Sequence, residues 1–158
     1  MKIADRIRAA TPGDFPALHA LAVRAIGGPR TAYGPVETAA WLERFPGLEE
    51  WSTKLSCQQV FVAHHQSSRA MPGFMTLTCD GLIDFAFIDP DYQAKGLFRH
   101  LFRSLETSAR DAGMPMLEAK ASRNAIGPFE AQGFRQIAQE IVQVGDVELE
   151  RFHVRKKL

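Results

Sequence analysis

The sequence predicts an α/β protein of the α+β kind, a mixed sheet in which antiparallel strands lead into a central βαβ crossover. Three observations carry this. Between positions 60 and 88 short apolar runs alternate with turn residues, the pattern of strands joined by tight turns. Residues 83–103 read as a strand, a polar turn and an amphipathic helix, and another apolar run follows at 116–121, so two parallel strands flank a helix. The chain then ends on two runs, 137–144 and 147–154, around the turn dipeptide Gly145-Asp146.

Taken in order, residues 6–10 form a first strand, diluted by alanine. Thr11-Pro12-Gly13-Asp14 starts a helix: Thr11 can cap, Pro12 fits the first helical position and Asp14 can return a capping bond. Phe15, Leu18, Leu21, Ala22 and Ile26 then recur at helical spacing until Gly27-Gly28-Pro29-Arg30. Gly34-Pro35 opens a second helix, closed by Pro46-Gly47. From Gln58 the period becomes that of strands: 60–63, a hairpin turn at Gln66-Ser67-Ser68-Arg69, 74–78, the tight turn Asp80-Gly81, and 82–88 as one further strand. Leu97, Phe98, Leu101, Phe102, Leu105 and Ala109 make the apolar stripe of the long helix, which Ala112-Gly113 ends and Met114-Pro115 cannot continue. A short helix spans 124–132, stopped by Gly133.

The 158 residues suit one domain, 1–158, with no repeat or linker. Apolar content of 46% and charged content of 23% are those of a globular protein. With 19 basic against 18 acidic side chains there is no general pull toward nucleic acid or an anionic membrane. Arg155-Lys156-Lys157 reads as a solvated tail. No apolar stretch is long enough to span a membrane or lead a signal peptide, so a cytoplasmic protein with free thiols at Cys57 and Cys79 is expected, Cys79 as a buried thiol or else a nucleophile. His64-His65 lacks a third ligand at metal spacing and reads as surface; no metal is expected. No GxxxxGK[S/T] is present, which argues against a nucleotide P-loop.

The chemistry centres on residues 93–99. A helix start leaves N–H groups without partners and favours an anion in front of them. Gly96 permits close approach, and Lys95 and Arg99 add positive charge, a good arrangement for a phosphate or pyrophosphate. An ordinary strand–turn–helix with a hydrated first turn fits the same residues.

Ile88-Asp89-Pro90-Asp91-Tyr92-Gln93-Ala94-Lys95-Gly96 resembles the V-x-P-x-Y-Q-G-K-G stretch of the GNAT superfamily of N-acetyltransferases, with its acyl-CoA motif Q/R-x-x-G-x-G/A. Downstream, Ser122-Arg123-Asn124-Ala125 and Pro128-Phe129-Glu130-Ala131-Gln132-Gly133-Phe134 are similar to the family's N-A-x-x-F-Y-E-x-x-G-F. Two motifs in the right order are far more specific than one, and the resemblance covers roughly residues 5–155. Two positions depart: Phe98 stands where the family usually has a small residue, and Phe129 where many members have tyrosine.

The resemblance implies the GNAT fold, with the strands of the crossover splayed around a pantetheine arm, and acetyl-CoA as acyl donor. It implies donor contacts from Phe87, Ile88, Gln93, Ala94, Lys95, Gly96, Leu97, Phe98, Arg99, Asn124 and Phe129, with the Ile88 N–H on the oxyanion. Phe98, on the apolar stripe, is expected to turn into the core. Asn124 is also expected to cap the short helix. Asp84, a lone charge in an apolar strand, is the candidate base and acceptor ligand, or else it pairs with an arginine or faces water. In the family the early helices cover an acceptor groove, which Tyr33, Trp41 and Trp51 could line; large aromatics also serve as plain core. With no tyrosine at 129, water, Cys79 or Tyr92 could protonate the thiolate.

The reading is an N-acetyltransferase acting by direct attack of an amine, with amino acid, aminoglycoside, polyamine and peptide N-terminus all open as acceptors. The alternatives are a GNAT fold that binds acyl-CoA, or only a partner protein, without turnover, and a structural domain with no ligand. A homodimer is compatible with the fold.

Overall fold

The computed structural model describes residues 6–65 and 67–158, so the turn predicted at Gln66-Ser67-Ser68-Arg69 lies partly outside the described residues. In chain order the elements are β1 (Arg6–Ala9), a 3-10 turn (Pro12–Asp14), α1 (Phe15–Ile26), α2 (Pro35–Arg44), α3 (Leu48–Ser56), β2 (Gln59–His64), β3 (Gly73–Leu77), β4 (Leu82–Ile83) and β5 (Ala86–Ile88). A second 3-10 turn (Pro90–Tyr92), α4 (Leu97–Asp111), β6 (Met116–Ala121), α5 (Ile126–Ala131), β7 (Arg135–Val144) and β8 (Val147–Lys157) follow.

The strands form two four-stranded sheets, ordered β1-β2-β3-β5 and β4-β6-β8-β7. The first is antiparallel throughout, and the parallel pair of the crossover is β4 with β6. Helix α4 buries its stripe of Leu97, Leu101, Phe102, Leu105 and Ala109 against Met75, Leu77 and Leu117. Phe15, Leu18, Leu21 and Trp51, from α1 and α3, form a second cluster with Val62 and Phe74. At the chain start Asp14 accepts from the Thr11 N–H at 2.8 Å, the predicted capping bond, and from Arg8 at 2.7 Å; the Arg8 guanidinium holds its carboxyl below the usual range.

The run 82–88 is not one strand. Thr76 N–H donates to Phe85 C=O at 2.9 Å and Thr78 N–H to Leu82 C=O at 2.9 Å, so two steps along β3 face three along its partner. One extra residue is inserted, a β-bulge at Asp84. The alternation of faces slips there: Ile83 packs into the α4 cluster, while Phe85 and Phe87 pack against the α1 and α3 cluster. The fully buried Thr76 closes the bulge, its Oγ1 accepting from the Phe85 N–H at 3.0 Å. Beyond the bulge the chain leaves β6, the parallel ladder stopping at Ile83 and Ala119, and a splay opens between β5 and the end of β6.

Several expectations are corrected. Helix α3 was not anticipated; Trp51 on it is fully buried, its Nε1–H donating to Phe15 C=O at 2.9 Å, so of the two readings open for it core holds and groove does not. Arg155, Lys156 and Lys157 are no tail: they pair in β8, and Lys156 bridges to Glu106 at 2.6 Å over the Phe102 ring. His65 is buried against the Tyr92 ring, and both cysteines are exposed. The short helix starts at Ile126 with Ala125 at its N-cap, because the Asn124 side chain is engaged elsewhere.

Thr76→Val keeps shape and removes the acceptor, leaving the part-buried Phe85 N–H without its partner. We expect a loss of about 1–3 kcal/mol in urea unfolding. Stability equal to wild type would mean that the hydroxyl does not hold the bulge.

Candidate active site

The splay places two cavities back to back. In antiparallel pairing, hydrogen-bonded positions recur every second residue. The bonds Thr76 N–H to Phe85 C=O and Asp89 N–H to Pro72 C=O therefore turn the main chain of Phe85, Phe87 and Asp89 toward β3, and that of Ala86 and Ile88 into the splay. Ile88 thus presents its N–H there, while its C=O accepts from Gln93 Nε2 at 3.1 Å. Phe87, whose main chain belongs to the β3 ladder, offers its ring.

The first cavity, about 590 Å3, runs from the splay to the start of α4. Ile88, Gln93, Ala94, Gly96, Leu97, Phe98, Arg99 and Asn124 line it, so the structure gathers nearly all the residues expected around the donor. Gly96 is the α4 N-cap at φ 82°, and a Cβ there meets nothing within 4 Å: the backbone is open to a ligand. The first intrahelical bond is His100 N–H to Gly96 C=O at 3.2 Å, leaving the N–H groups of Leu97, Phe98 and Arg99 ahead of it. Ala94 holds φ 59°, an uncommon conformation for a residue with a side chain that concentrates at ligand loops. These features fit a pyrophosphate.

Lys95 and Phe129 lie elsewhere. The Lys95 ammonium donates to Asp91 C=O at 2.9 Å and sits over the Tyr92 ring, away from this lining. A cation that the sequence reading missed takes part instead: Arg30, from the α1–α2 loop, lines the cavity and donates to Gln93 C=O at 3.4 Å. Its signal was hidden in Gly27-Gly28-Pro29-Arg30, read only as a helix stop. That loop straps the cleft. Gly28 leaves no room for a Cβ against Pro90 (2.7 Å), Arg24 pairs with Asp89, and Asn124 accepts from the Ala32 N–H at 2.6 Å.

The second cavity, about 440 Å3, opens on the other side. Tyr33, Trp41, Asp84 and Phe129 line it. Asp84, at the bulge, accepts from Gln58 Nε2 at 2.8 Å. The buried Tyr33 hydroxyl donates to Glu150 C=O at 2.9 Å and accepts from Arg123 N–H at 2.9 Å; burial pushes its phenol up, so it remains a donor. Phe129 is buried, edge-on to Phe98 at 5.0 Å and to Phe134 at 5.0 Å. Phe98 is half-buried: it packs on the core and also lines the first cavity. Tyr92 lines the first cavity; Cys79 lines neither. Trp41, Ala86, Phe87, Ser122 and Ala125 belong to both, so the cavities share one wall at the splay. Among the described residues no group of three or more His, Cys, Asp or Glu is placed to hold a metal, and no helix is long and apolar enough to cross a membrane.

A splayed crossover with a backbone anion site at one mouth and a second cavity behind it is the architecture of an acyltransferase. The chain matches the family described as "Acetyltransferase (GNAT) domain" over residues 29–148. It is 30% identical over 155 residues to the uncharacterized N-acetyltransferase YafP of Escherichia coli K12, covering 96% of this chain and 95% of that one. A GCN5-related N-acetyltransferase from Rhodopseudomonas palustris superposes with a TM-score of 0.87 at 26% identity, over 97% of this chain and 95% of that one. The PaiA N-acetyltransferase of Thermoplasma acidophilum, solved with coenzyme A, has the same fold, with a TM-score of 0.73 at 17% identity over 97% and 98%. The chain belongs to the GNAT family of acetyltransferases.

Gly96→Val is expected to weaken CoA binding by on the order of tenfold or more, a loss of about 1.4 kcal/mol per tenfold. Gly113, also left-handed (φ 72°) with nothing within 4 Å of a Cβ, lies past the far end of α4. Gly113→Val thus controls for backbone strain. Equal affinities of the two variants by calorimetry would exclude Gly96 as the ligand approach.

Proposed function

We propose that this chain moves an acetyl group from acetyl-CoA to a primary amine of a small molecule or peptide, by direct attack within a ternary complex. The observation that carries the reading is the shared wall: a donor in the first cavity and an acceptor in the second meet at the splay between β5 and β6. The pyrophosphate rests on the first turn of α4, beside Arg99 and Arg30, and the pantetheine arm runs between the strands to the Ile88 N–H. The coenzyme A of the PaiA structure supports this choice of donor.

Each step then has a residue. Asp84 draws in the acceptor ammonium and takes its proton, so that a neutral amine attacks the thioester carbon. The Ile88 N–H donates to the oxygen as it gains charge. The tetrahedral intermediate gives the second amine proton to water as it collapses, the C–S bond breaks and CoA leaves as thiolate. A thiol titrates near about 8.5, so this is a tolerable leaving group without a donor. Holding both reactants in one cleft supplies much of the remaining acceleration.

One observation favours a second reading, a non-catalytic acyl-CoA-binding or protein-interaction module. The buried Phe129 ring stands where many relatives carry a hydroxyl, and it has no proton to give the sulfur.

Two variants separate these. Asp84→Asn is expected to lower kcat/KM for the amine by roughly 10²-fold while the CoA dissociation constant stays put; equal activity across pH would remove Asp84 from the mechanism. Phe129→Tyr is expected to raise turnover several-fold, since a placed general acid is worth ~10²–10⁴ at best. No gain with an amine that the wild type acetylates would show that another donor fills the role. If neither protein releases CoA with any amine, the binding module stands.

A further inference from the structure

We infer that the acceptor is an amino acid with an apolar side chain, its amine on Asp84 and its carboxylate on Lys54. The inference takes its chemistry from the acetyltransferase reading, but half of its test is independent of turnover.

The charges around the acceptor cavity are the starting point. Arg44, Lys54, Lys120 and Arg151 line it, against Glu50, Asp84 and Glu150. Most of these are already matched. Lys120 and Arg151 share Glu140 at 2.5 and 2.8 Å, and Glu150 takes Arg123 at 3.3 Å and Gln139 at 2.6 Å. The side chains of Arg44, Lys54 and Glu50 make no ion pair or hydrogen bond among the described residues. Arg44 and Glu50 are exposed, where water serves them, but Lys54 is half-buried. Its stem is partly covered while its ammonium has no partner in the protein, which leaves that charge available to an anionic ligand group in the cavity.

Position then selects the ligand. Lys54 lies four residues before Gln58, whose amide holds Asp84. Lys54 stands in the last turn of α3, and Gln58 follows just past its end, where the Gln58 N–H bonds back to Leu55 C=O at 3.2 Å, so the two residues are close along the chain at the same corner of the fold. A cation and a carboxylate at this corner, in one cavity, suit a small zwitterion. A polyamine or aminoglycoside needs an excess of carboxylates, and the lining charges left without an ionic partner, Arg44 and Lys54 against Glu50 and Asp84, show none. Trp41, Phe45, Phe85 and Phe87 supply an aromatic wall for an apolar side chain.

The test uses matched probes: L-phenylalanine, L-phenylalaninamide, phenethylamine and spermidine. Each is titrated into CoA-saturated protein by calorimetry, and each is assayed for CoA release from acetyl-CoA. L-Phenylalanine is expected to bind on the order of tenfold or more tighter than its amide or phenethylamine, the worth of a hydrogen bond to a charged group. Lys54→Met should erase that ratio and Lys54→Arg should keep it. Turnover that favours phenethylamine or spermidine overturns the amino-acid acceptor and leaves the acetyltransferase reading standing. Tighter binding of L-phenylalanine with no CoA release upholds the amino-acid site and defeats the transfer reading. A Lys54→Met protein that loses all four probes equally overturns the assignment of Lys54.

Discussion

The site depends on one inserted residue. A hairpin in perfect register would run residues 82–88 along β3 and keep their other edge paired to β6, leaving no cleft. The bulge at Asp84 lets the first part of the run pair with β6 and the second part turn away from it. Three consequences follow. A gap opens that main-chain groups can line, with the Ile88 N–H aimed inward. The only charged side chain of the run is left at the junction, beside Gln58. The aromatic rings of Phe85 and Phe87 change sides and become the floor of the acceptor cavity. Such insertions recur next to active sites because they re-aim side chains without unfolding a sheet. The Thr76 hydroxyl makes it affordable by giving the displaced Phe85 N–H a partner.

The donor side is assembled differently, from weak contacts between distant parts of the chain. The strap between α1 and α2 is held at Arg24 by Asp89, at Gly28 by Pro90, at Arg30 by Gln93, at Ala32 by Asn124 and at Tyr33 by Arg123 and Glu150. Exposed ion pairs contribute about 0–1 kcal/mol each. The buried Tyr33 hydroxyl, satisfied on both sides, is the firmest of these ties. A cleft closed mostly by surface contacts can admit a long, flexible donor, whereas the bulge behind it stays fixed.

What could be read from the sequence divides along the same line. The α4 start, its apolar stripe and the hairpins were legible because period, turn residues and glycine placement are local signals. The bulge was not: an apolar run of seven residues looks continuous, and only Asp84 interrupts it. Helix α3 was hidden because Leu48, Trp51 and Leu55 are sparse among charges, and Trp51, one of its two buried residues, also offered a reading as a groove aromatic beside that of core. Arg30 and Lys54 were missed because each reaches its cavity from a distant part of the chain. Lys95 illustrates the converse, since a cation adjacent to the motif folds back onto Asp91 and leaves its place to an arginine from another loop.

The two departures from the family pattern are one feature in space. Phe98, where a small residue is usual, and Phe129, where tyrosine is common, meet edge-to-face with centroids 5.0 Å apart. Such a pair contributes about 0.5–1.5 kcal/mol beyond its burial. It joins the first turn of α4 to α5, on the opposite side of the splay from the bulge. Phe98 gains a partner only if residue 129 is a ring packed this way, and Phe134 holds that ring from behind at 5.0 Å. A phenol at 129 would keep the ring contacts and add a polar group on the side facing the acceptor cavity. The pair therefore trades a proton donor for a stiffer wall between donor and acceptor. In the proposed reaction a leaving thiolate would meet an apolar corner there, with the start of α4 as a source of positive potential.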